Sequence, residues 1–240
     1  GGRVMVTKRV AVVSAALFGL TVVTSSRVDA TIIQDNTIVG SIVHDFNALP
    51  TGNVDGLLSL PGASYGERLA GQTLGASGNL DTLSGSPTSP LSLVSGGAGL
   101  NLHVVLFGGS NVLAGCGNLV CPTNDAIGEG AVTALFDQDT DVFGFLVVGS
   151  DGGTATWQFF DRGGASLGTL TLGLSNSFFG FRVTGGNQIA AVSMTNDDDG
   201  GIGVDAVTFN ETAAPVPEPG TVLLLGSGLL GFAARRRRSA

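Results

Sequence analysis

Apolar and polar residues alternate along the middle of the chain, from Thr31 to Asn210, with the two-residue period of β-strands. The alternation is clearest after Ala131, and no part of this half keeps a helical period. The strand-like segments are AVTALFD, VFGFLVVGS, TATWQFFD, ASLGTLTL, SFFGFRVT, IAAVSMTN and IGVDAVTF, separated by turn sequences such as QDTD, DGG, RGG, GGNQ and DDDGG. This spacing predicts an all-β fold over residues 31–212, an antiparallel β-sandwich of the jelly-roll type.

The front of this predicted domain has a weaker pattern. TIIQDNTIV and SIVHDF are β-rich and close together, and GLNLHVVLF alternates from Gly99 onward. The stretch between them, residues 49–98, is rich in Gly, Ser, Pro and Asn. We expect it to be loop-rich because these residues favour turns.

An apolar run, Val10–Val23, precedes the predicted domain and follows Lys8 and Arg9. A polar stretch ending at Ala30 comes next, which gives the charged, apolar and small-residue order of a secretory signal peptide. We therefore expect a signal-peptide helix within residues 1–30, cleaved near Ala30, with Met5 as a candidate true start. An N-terminal membrane anchor is the alternative, although the run is short for a bilayer span.

A second apolar run, Gly220–Ala234, follows the predicted domain and is free of charge. Pro219 suits a first helical turn, while Glu218 and the arginines Arg235–Arg238 suit the two ends of the helix dipole. A helix of this length spans about 22 Å, and snorkelling arginines help it to cross a core of roughly 30 Å. We expect one transmembrane helix over 220–234, with its arginines in the cytoplasm and the acidic body across the membrane.

The same run contains a G-x-G-x-x-G pattern from Gly226 to Gly231. A dinucleotide site needs a preceding strand, a following helix and an acidic residue about 20 positions further on. The printed sequence reaches only Ala240, so we expect this glycine match to be accidental.

The order of Val216, Pro217, Glu218 and Pro219, a Leu- and Gly-rich run, and the cluster Arg235, Arg236, Arg237 and Arg238 closely resembles the PEP-CTERM sorting signal of exported Gram-negative proteins. The resemblance covers residues 213–240. It implies an exosortase, a membrane transpeptidase, as partner, with cleavage near the Pro-Glu-Pro motif and transfer or release of the body to the cell surface or extracellular matrix. Such proteins are typical of bacteria that form exopolysaccharide and biofilms. The body is also similar to β-sandwich domains that they carry, which implies no catalytic residues.

The body between the two apolar runs is strongly acidic. From Thr31 to Pro215 it has three arginines against 17 acidic residues, a net charge of −14 with His neutral. Such a surface repels phosphate backbones, so the composition excludes nucleic acid as a partner. It is compatible with divalent cations.

Acidic residues at two predicted turns and on two strands suggest one cofactor, a structural Ca²⁺ ion, because hard cations bind several oxygens at close spacing. The candidate ligands are Asp45, Asp137, Asp139, Asp141, Asp199 and Asp205. The EF-hand pattern fails, since Val142 and Val148 stand where it needs Gly and Glu. Asp45 and Asp205 would meet if the first and last strands pair. Solvated turns explain the same residues without a metal.

The two cysteines, Cys116 and Cys121, lie in the Gly-, Asn- and Pro-rich sequence GCGNLVCPTN. In an exported protein this predicts a local disulfide that stiffens a loop. A zinc site would need two further ligands, and neither His44 nor His103 has supporting spacing.

Two further patterns suggest activity. GASYG, around Ser64, matches the G-x-S-x-G of serine hydrolases, with His103 as a candidate base, but no strand-to-helix turn is predicted there. Trp157 and the Phe-rich strands would suit a carbohydrate platform, although core packing explains most of these aromatic residues. The sequence therefore predicts a non-enzymatic, exported surface or matrix protein. A lectin-like polysaccharide-binding module, with or without calcium, is the alternative, and a hydrolase is a distant third.

Overall fold

The described part of the chain is built from short β-strands alone. A computed structural model describes residues 31–118, 121, 127–185 and 188–210, and these residues contain no α-helix. The strands are β1 (Thr31–Gln34), β2 (Ile42–His44), β3 (Gly52–Val54), β4 (Leu58–Leu60), β5 (Ala63–Gly66), β6 (Arg68–Leu69), β7 (Thr73–Ser77), β8 (Leu80–Ser84), β9 (Leu93–Val94), β10 (Leu102–Phe107), β11 (Ser110–Gly115), β12 (Val132–Thr140), β13 (Val142–Val148), β14 (Thr154–Phe160), β15 (Ser166–Gly173), β16 (Phe178–Thr184), β17 (Ile189–Asn196) and β18 (Gly203–Phe209). The predicted all-β class is confirmed.

Two antiparallel sheets contain most of these strands. The first sheet has the order β1-β16-β13-β18-β11-β10-β3, and β2 also pairs with β18. The second sheet has the order β15-β14-β17-β12-β5-β4, while β6 with β9 and β7 with β8 form small two-stranded sheets. The seven segments predicted after Ala131 correspond to β12–β18. Of these strands, β13, β16 and β18 lie in the first sheet, and β12, β14, β15 and β17 lie in the second.

Two stretches contain more strand than the sequence predicted. The first three residues of QDTD, expected to be a turn, belong to the end of β12, whose pairing with β17 resumes at Thr140. The Thr140 hydroxyl bonds both the amide (3.3 Å) and the carbonyl (2.6 Å) of Val142, so the chain reverses within very few residues. The stretch 49–98 contains β3–β9, and β5 joins the second sheet by pairing with β12, far away in sequence.

The two sheets pack face to face over one apolar core. Trp157 of β14 lies at its centre and is fully buried. Its ring centroid is 5.4 Å from that of Phe179, 5.2 Å from Phe181 and 6.1 Å from Phe145, all in the opposite sheet. Offset and tilted ring pairs of this kind are favourable beyond the area they bury. The prediction that Trp157 and most of the phenylalanines form the core is confirmed.

One irregularity changes the direction of side chains in β18. Val204 and Val207 both reach the core although they are three residues apart. The pairing of β18 with β13 shifts register at this point, and Ala206 has a φ of 47°, in the left-handed region. A β-bulge re-aims neighbouring side chains. Here it leaves Asp205 on the outer face of the first sheet.

Replacing Ala206 by glycine is expected to stabilise the protein. A left-handed backbone costs a non-glycine residue roughly 1 kcal/mol, and glycine removes this cost. Part of the gain is lost because glycine gives up more conformational freedom than alanine when the strand forms. We expect the free energy of unfolding to rise by about 0.5 kcal/mol, measured by urea denaturation. Ala76→Gly, in exposed β7 with ordinary φ, is the matched control and should lower it. Equal effects of the two variants would contradict a bulge at Ala206.

The first and last described residues lie at the same end of the first sheet. Thr31 begins β1 beside the end of β16, and Asn210 follows β18 beside the start of β13. Arg182 joins the chain segments at this end, because it contacts Asp35 at 3.1 Å and Asp141 at 3.8 Å. The side-chain amide of Asn210 also donates to Asp141, at 3.4 Å. Residues 1–30 and 211–240 therefore connect to the body at one end.

Candidate functional site

A cleft of about 500 Å³ lies on the outer face of the first sheet. It lies where β13 ends, whereas Asn210 lies beside the start of β13, so the cleft and the chain exit are at opposite ends of this strand. Its volume is in the range of small-molecule sites. We treat it as the candidate functional site of the body.

The floor and one wall of the cleft are apolar. Leu146 and Val148 alternate with core residues along β13, so their side chains point outward, and Val112 of β11 lies beside them. Phe107, at the tip of the β10–β11 hairpin, is 38% exposed and is the one aromatic side chain among the described residues that line the cleft. An aromatic ring is thus partly open to a ligand.

The loop at the end of β13 is held from two sides. The Asn176 amide accepts from the Ser150 backbone N–H (2.9 Å) and donates to the Ser150 carbonyl (3.0 Å). The buried Asp198 carboxylate accepts from the Ser150 hydroxyl (2.8 Å) and from the N–H groups of Asp151 (3.0 Å) and Gly152 (3.2 Å) through one oxygen. Three residues of this loop line the cleft, so that side of the site is fixed before any ligand binds.

Asp205 is the most enclosed carboxylate of the cleft. One of its oxygens accepts from the Ala206 N–H at 2.7 Å. Burial raises the pKa of Asp205, and the nearby Asp45 carboxylate raises it further, while the Ala206 N–H lowers it. Hydroxyl donors are therefore favourable ligands for Asp205, since they solvate a carboxylate that water reaches poorly.

The six predicted calcium ligands are spread over several parts of the fold. Asp45 and Asp205 come close together, because β2 pairs with β18. Asp139 contacts Arg162 at 2.7 Å. The remaining three are Asp137 on β12, Asp141 beside Arg182, and Asp199 in the loop before β18. Within residues 31–118, 121, 127–185 and 188–210, no group of three or more His, Cys, Asp or Glu side chains could hold a metal ion. The calcium site stays a prediction.

Cys116 and Cys121 are joined by a disulfide. The bond connects the end of β11 to a residue whose N–H bonds the Gly99 carbonyl at 3.0 Å. It therefore lies at a loop, in the position that the sequence predicted.

Ser64 lies within β5, in an antiparallel sheet, so the strand-to-helix turn of a nucleophile elbow does not occur at this residue. Its hydroxyl is 3.0 Å from that of Ser59. His103 lies in the other sheet and bonds the Asn53 side chain at 2.9 Å. These contacts give Ser64 no base.

A second polar pocket, of about 400 Å³, was not signalled by the sequence. Glu67 and Asp81 line it, are almost fully buried and have raised pKa values, mainly because of burial. Arg68 forms an ion pair with Glu67. One Asp81 oxygen accepts from the Ala131 N–H at 2.9 Å, and the other has no hydrogen-bond partner among the described residues. Glu67 lies between β5 and β6, whereas Asp81 belongs to β8, so no local motif connects the two acids.

Comparison with known proteins bears on the other end of the chain. The family model of the PEP-CTERM protein-sorting motif matches residues 215–238. The chain carries a PEP-CTERM sorting motif. The match includes Val216–Pro219 and Arg235–Arg238, so the predicted sorting signal is confirmed. No curated protein and no solved structure matches the chain.

The sorting motif lies outside the described residues, as do the predicted signal peptide and the predicted transmembrane helix. Among the residues that the structure describes, no helix is long and apolar enough to cross a membrane. The body and the sorting motif are separated by residues 211–214.

Proposed function

We propose that the body of this PEP-CTERM chain is a jelly-roll β-sandwich. The pairings β11–β18, β12–β17, β13–β16 and β14–β15 are nested around the β14–β15 hairpin. Together they give four neighbouring strands in each sheet, β11-β18-β13-β16 and β12-β17-β14-β15. Eight strands arranged as two Greek keys define a jelly roll.

We infer that the protein is an exported, non-enzymatic surface or matrix protein, anchored through its C-terminal signal until an exosortase-type transpeptidase processes it. The match to the sorting motif is the observation that carries this proposal. Two features of the body support it. The disulfide suits an oxidising compartment, and the predicted cleavage near Ala30 would leave β1 intact. Cleavage near Pro217–Pro219 would leave every described strand intact.

Intact-mass analysis of the exported protein tests this proposal. In bacteria that have an exosortase, we expect a mature form that begins near Thr31 and lacks Arg235–Arg238. A triple variant, P217A/E218A/P219A, should accumulate as the larger precursor in the membrane fraction. Glu211→Ala, outside the matched motif, is the control and should be processed like the wild type. A mature wild-type form that retains the arginines would reject processing.

A second candidate function is lectin-like polysaccharide binding, with or without calcium. The cleft beside Phe107 and Asp205 favours it, because it combines an exposed ring with a hydroxyl acceptor. The jelly-roll architecture occurs in lectins, but architecture alone is an analogy. The chemistry of the cleft therefore has to carry the argument.

A further inference from the structure

We propose that the cleft between Phe107 and Asp205 binds a neutral carbohydrate without a metal ion. The inference rests on the second candidate function and gives it a site and a ligand class. The lining of the cleft, its charge, its rigidity and its position in the fold each support this proposal.

The lining of the cleft matches the two kinds of surface on a sugar ring. A pyranose has an apolar C–H face and a polar rim of hydroxyl groups. Phe107 presents an exposed ring, and Leu146 and Val148 continue the apolar surface. Asp205 and Ser110 lie beside this surface and offer oxygens to hydroxyl groups. A few polar groups beside an apolar wall are typical of small-molecule sites.

The charge of the cleft favours a neutral ligand. Among the described residues, its lining includes two carboxylates, Asp151 and Asp205, and no basic residue. The arginines of the described residues are all occupied elsewhere, since Arg68, Arg162 and Arg182 pair with acids away from the cleft. Phosphate, sulfate and uronate groups would be repelled by these carboxylates, because no described residue of the lining supplies a compensating cation.

The same geometry argues against calcium as a bridge. The described lining of the cleft supplies two carboxylates, Asp151 and Asp205, and Asp45 lies near Asp205 outside that lining, whereas Ca²⁺ takes six to eight oxygen ligands. Direct hydrogen bonds from hydroxyl groups satisfy Asp205 without a metal.

The site is rigid. The bulge at Ala206 directs Asp205 outward, and Asn176 and Asp198 fix the loop that begins at Ser150. Groups that are ordered before binding do not have to be ordered by the ligand, which favours affinity.

The position of the cleft suits a surface protein. The seven residues of β13 separate it from the end where Asn210 leaves the fold, a distance of about 20 Å. On a chain anchored by its C-terminal signal, the cleft is therefore remote from the point of attachment.

The test uses the full chain, purified in a non-glycosidic detergent with EDTA present. An array of neutral glucans, mannans and galactans, with alginate and hyaluronan as acidic probes, selects a ligand for titration calorimetry. We expect binding to a neutral glycan, weakened about tenfold or more by Phe107→Ala and by Asp205→Asn. Asp205→Asn keeps the oxygen that accepts from Ala206. Leu106→Ala, exposed on the same hairpin but outside the cleft lining, is the matched control and should change affinity less than about twofold.

The outcomes separate the inference from the functions that precede it. Binding to no glycan rejects both the inference and the second candidate function. Glycan binding that is equal in all variants, restricted to the acidic polymers, or dependent on added Ca²⁺ rejects the inference alone. Melting temperatures of the variants identify a loss of binding that comes from unfolding. The sorting proposal is tested separately, by the mass of the mature protein.

Discussion

Replacing Trp157 by alanine is expected to lower the free energy of unfolding by about 3–5 kcal/mol, the largest single-residue effect on stability in the body. The side chain is fully buried and contacts rings of Phe145, Phe179 and Phe181 across the interface between the sheets. Truncation leaves a cavity that the strands cannot close, since both sheets hold their spacing through other side chains. Because the free energy of unfolding of a domain is only about 5–15 kcal/mol, this variant would lose a large part of its stability.

Trp157→Phe is the matched control for this variant. The buried indole N–H has no hydrogen-bond partner among the described residues, so phenylalanine removes an unsatisfied donor while it keeps most of the ring contacts. We expect a loss of about 1–2 kcal/mol. Trp157 is the one tryptophan in the chain, and both variants remove it. Unfolding in urea therefore has to be followed by circular dichroism and not by tryptophan fluorescence. An alanine variant as stable as the phenylalanine variant would contradict a central position for Trp157.

Replacing Asp198 by alanine is expected to lower the free energy of unfolding by about 3–4 kcal/mol, because it leaves several hydrogen-bond donors unsatisfied. One carboxylate oxygen accepts from the Ser150 hydroxyl and from the N–H groups of Asp151 and Gly152, and the other accepts from Gly200 N–H at 3.0 Å. Hydrogen bonds to a charged acceptor are stronger than neutral ones. The loss should therefore be local as well as global, with the loop after β13 becoming mobile.

Hydrogen exchange distinguishes the local effect from the global one. In Asp198→Ala, the amides of Asp151 and Gly152 should exchange faster than expected from the global loss of stability. Asp198→Asn, which keeps one oxygen acceptor, should lie between alanine and the wild type. Asp199→Ala changes the exposed neighbour in the same turn and should leave stability within about 0.5 kcal/mol. Equal effects of the two alanine variants would mean that Asp198 does not organise this loop.

The acidic turn Asp197-Asp198-Asp199 shows which features of the site could be predicted from the sequence and which could not. Three identical side chains in a row predict a solvated turn, and two of them meet that expectation, because Asp197 and Asp199 are exposed. Asp197 also bonds the hydroxyl of Thr154 at 2.9 Å, whereas Asp198 is buried beneath a loop about 50 residues earlier in the chain. The difference depends on which loops the sheet order brings together, which local sequence does not record.

The strands also divide into those that local sequence predicts and those that depend on distant partners. β12–β18 could be predicted because each is long enough to show alternation, and hairpin partners such as β14 and β15 are adjacent in sequence. β3–β9 are two to five residues long, too short for a period, and several are fixed by partners far away. The cysteine pair is local and was predictable. Phe107 and Asp205 are almost a hundred residues apart, and no glycine marks the bulge that turns Asp205 outward.

The strand from which the chain leaves the body also decides how a tethered molecule responds to mechanical force. Asn210 follows β18, which is hydrogen-bonded to β13 on one side and to β11 and β2 on the other. Tension from a C-terminal tether therefore enters the middle of a sheet, where neighbouring strands share the load. β1, by contrast, pairs with β16 alone at the sheet edge and would be peeled away one hydrogen bond at a time. If the proposed anchoring through the C-terminal signal holds, attachment through β18 would make the body resist unfolding under tension better than attachment through β1.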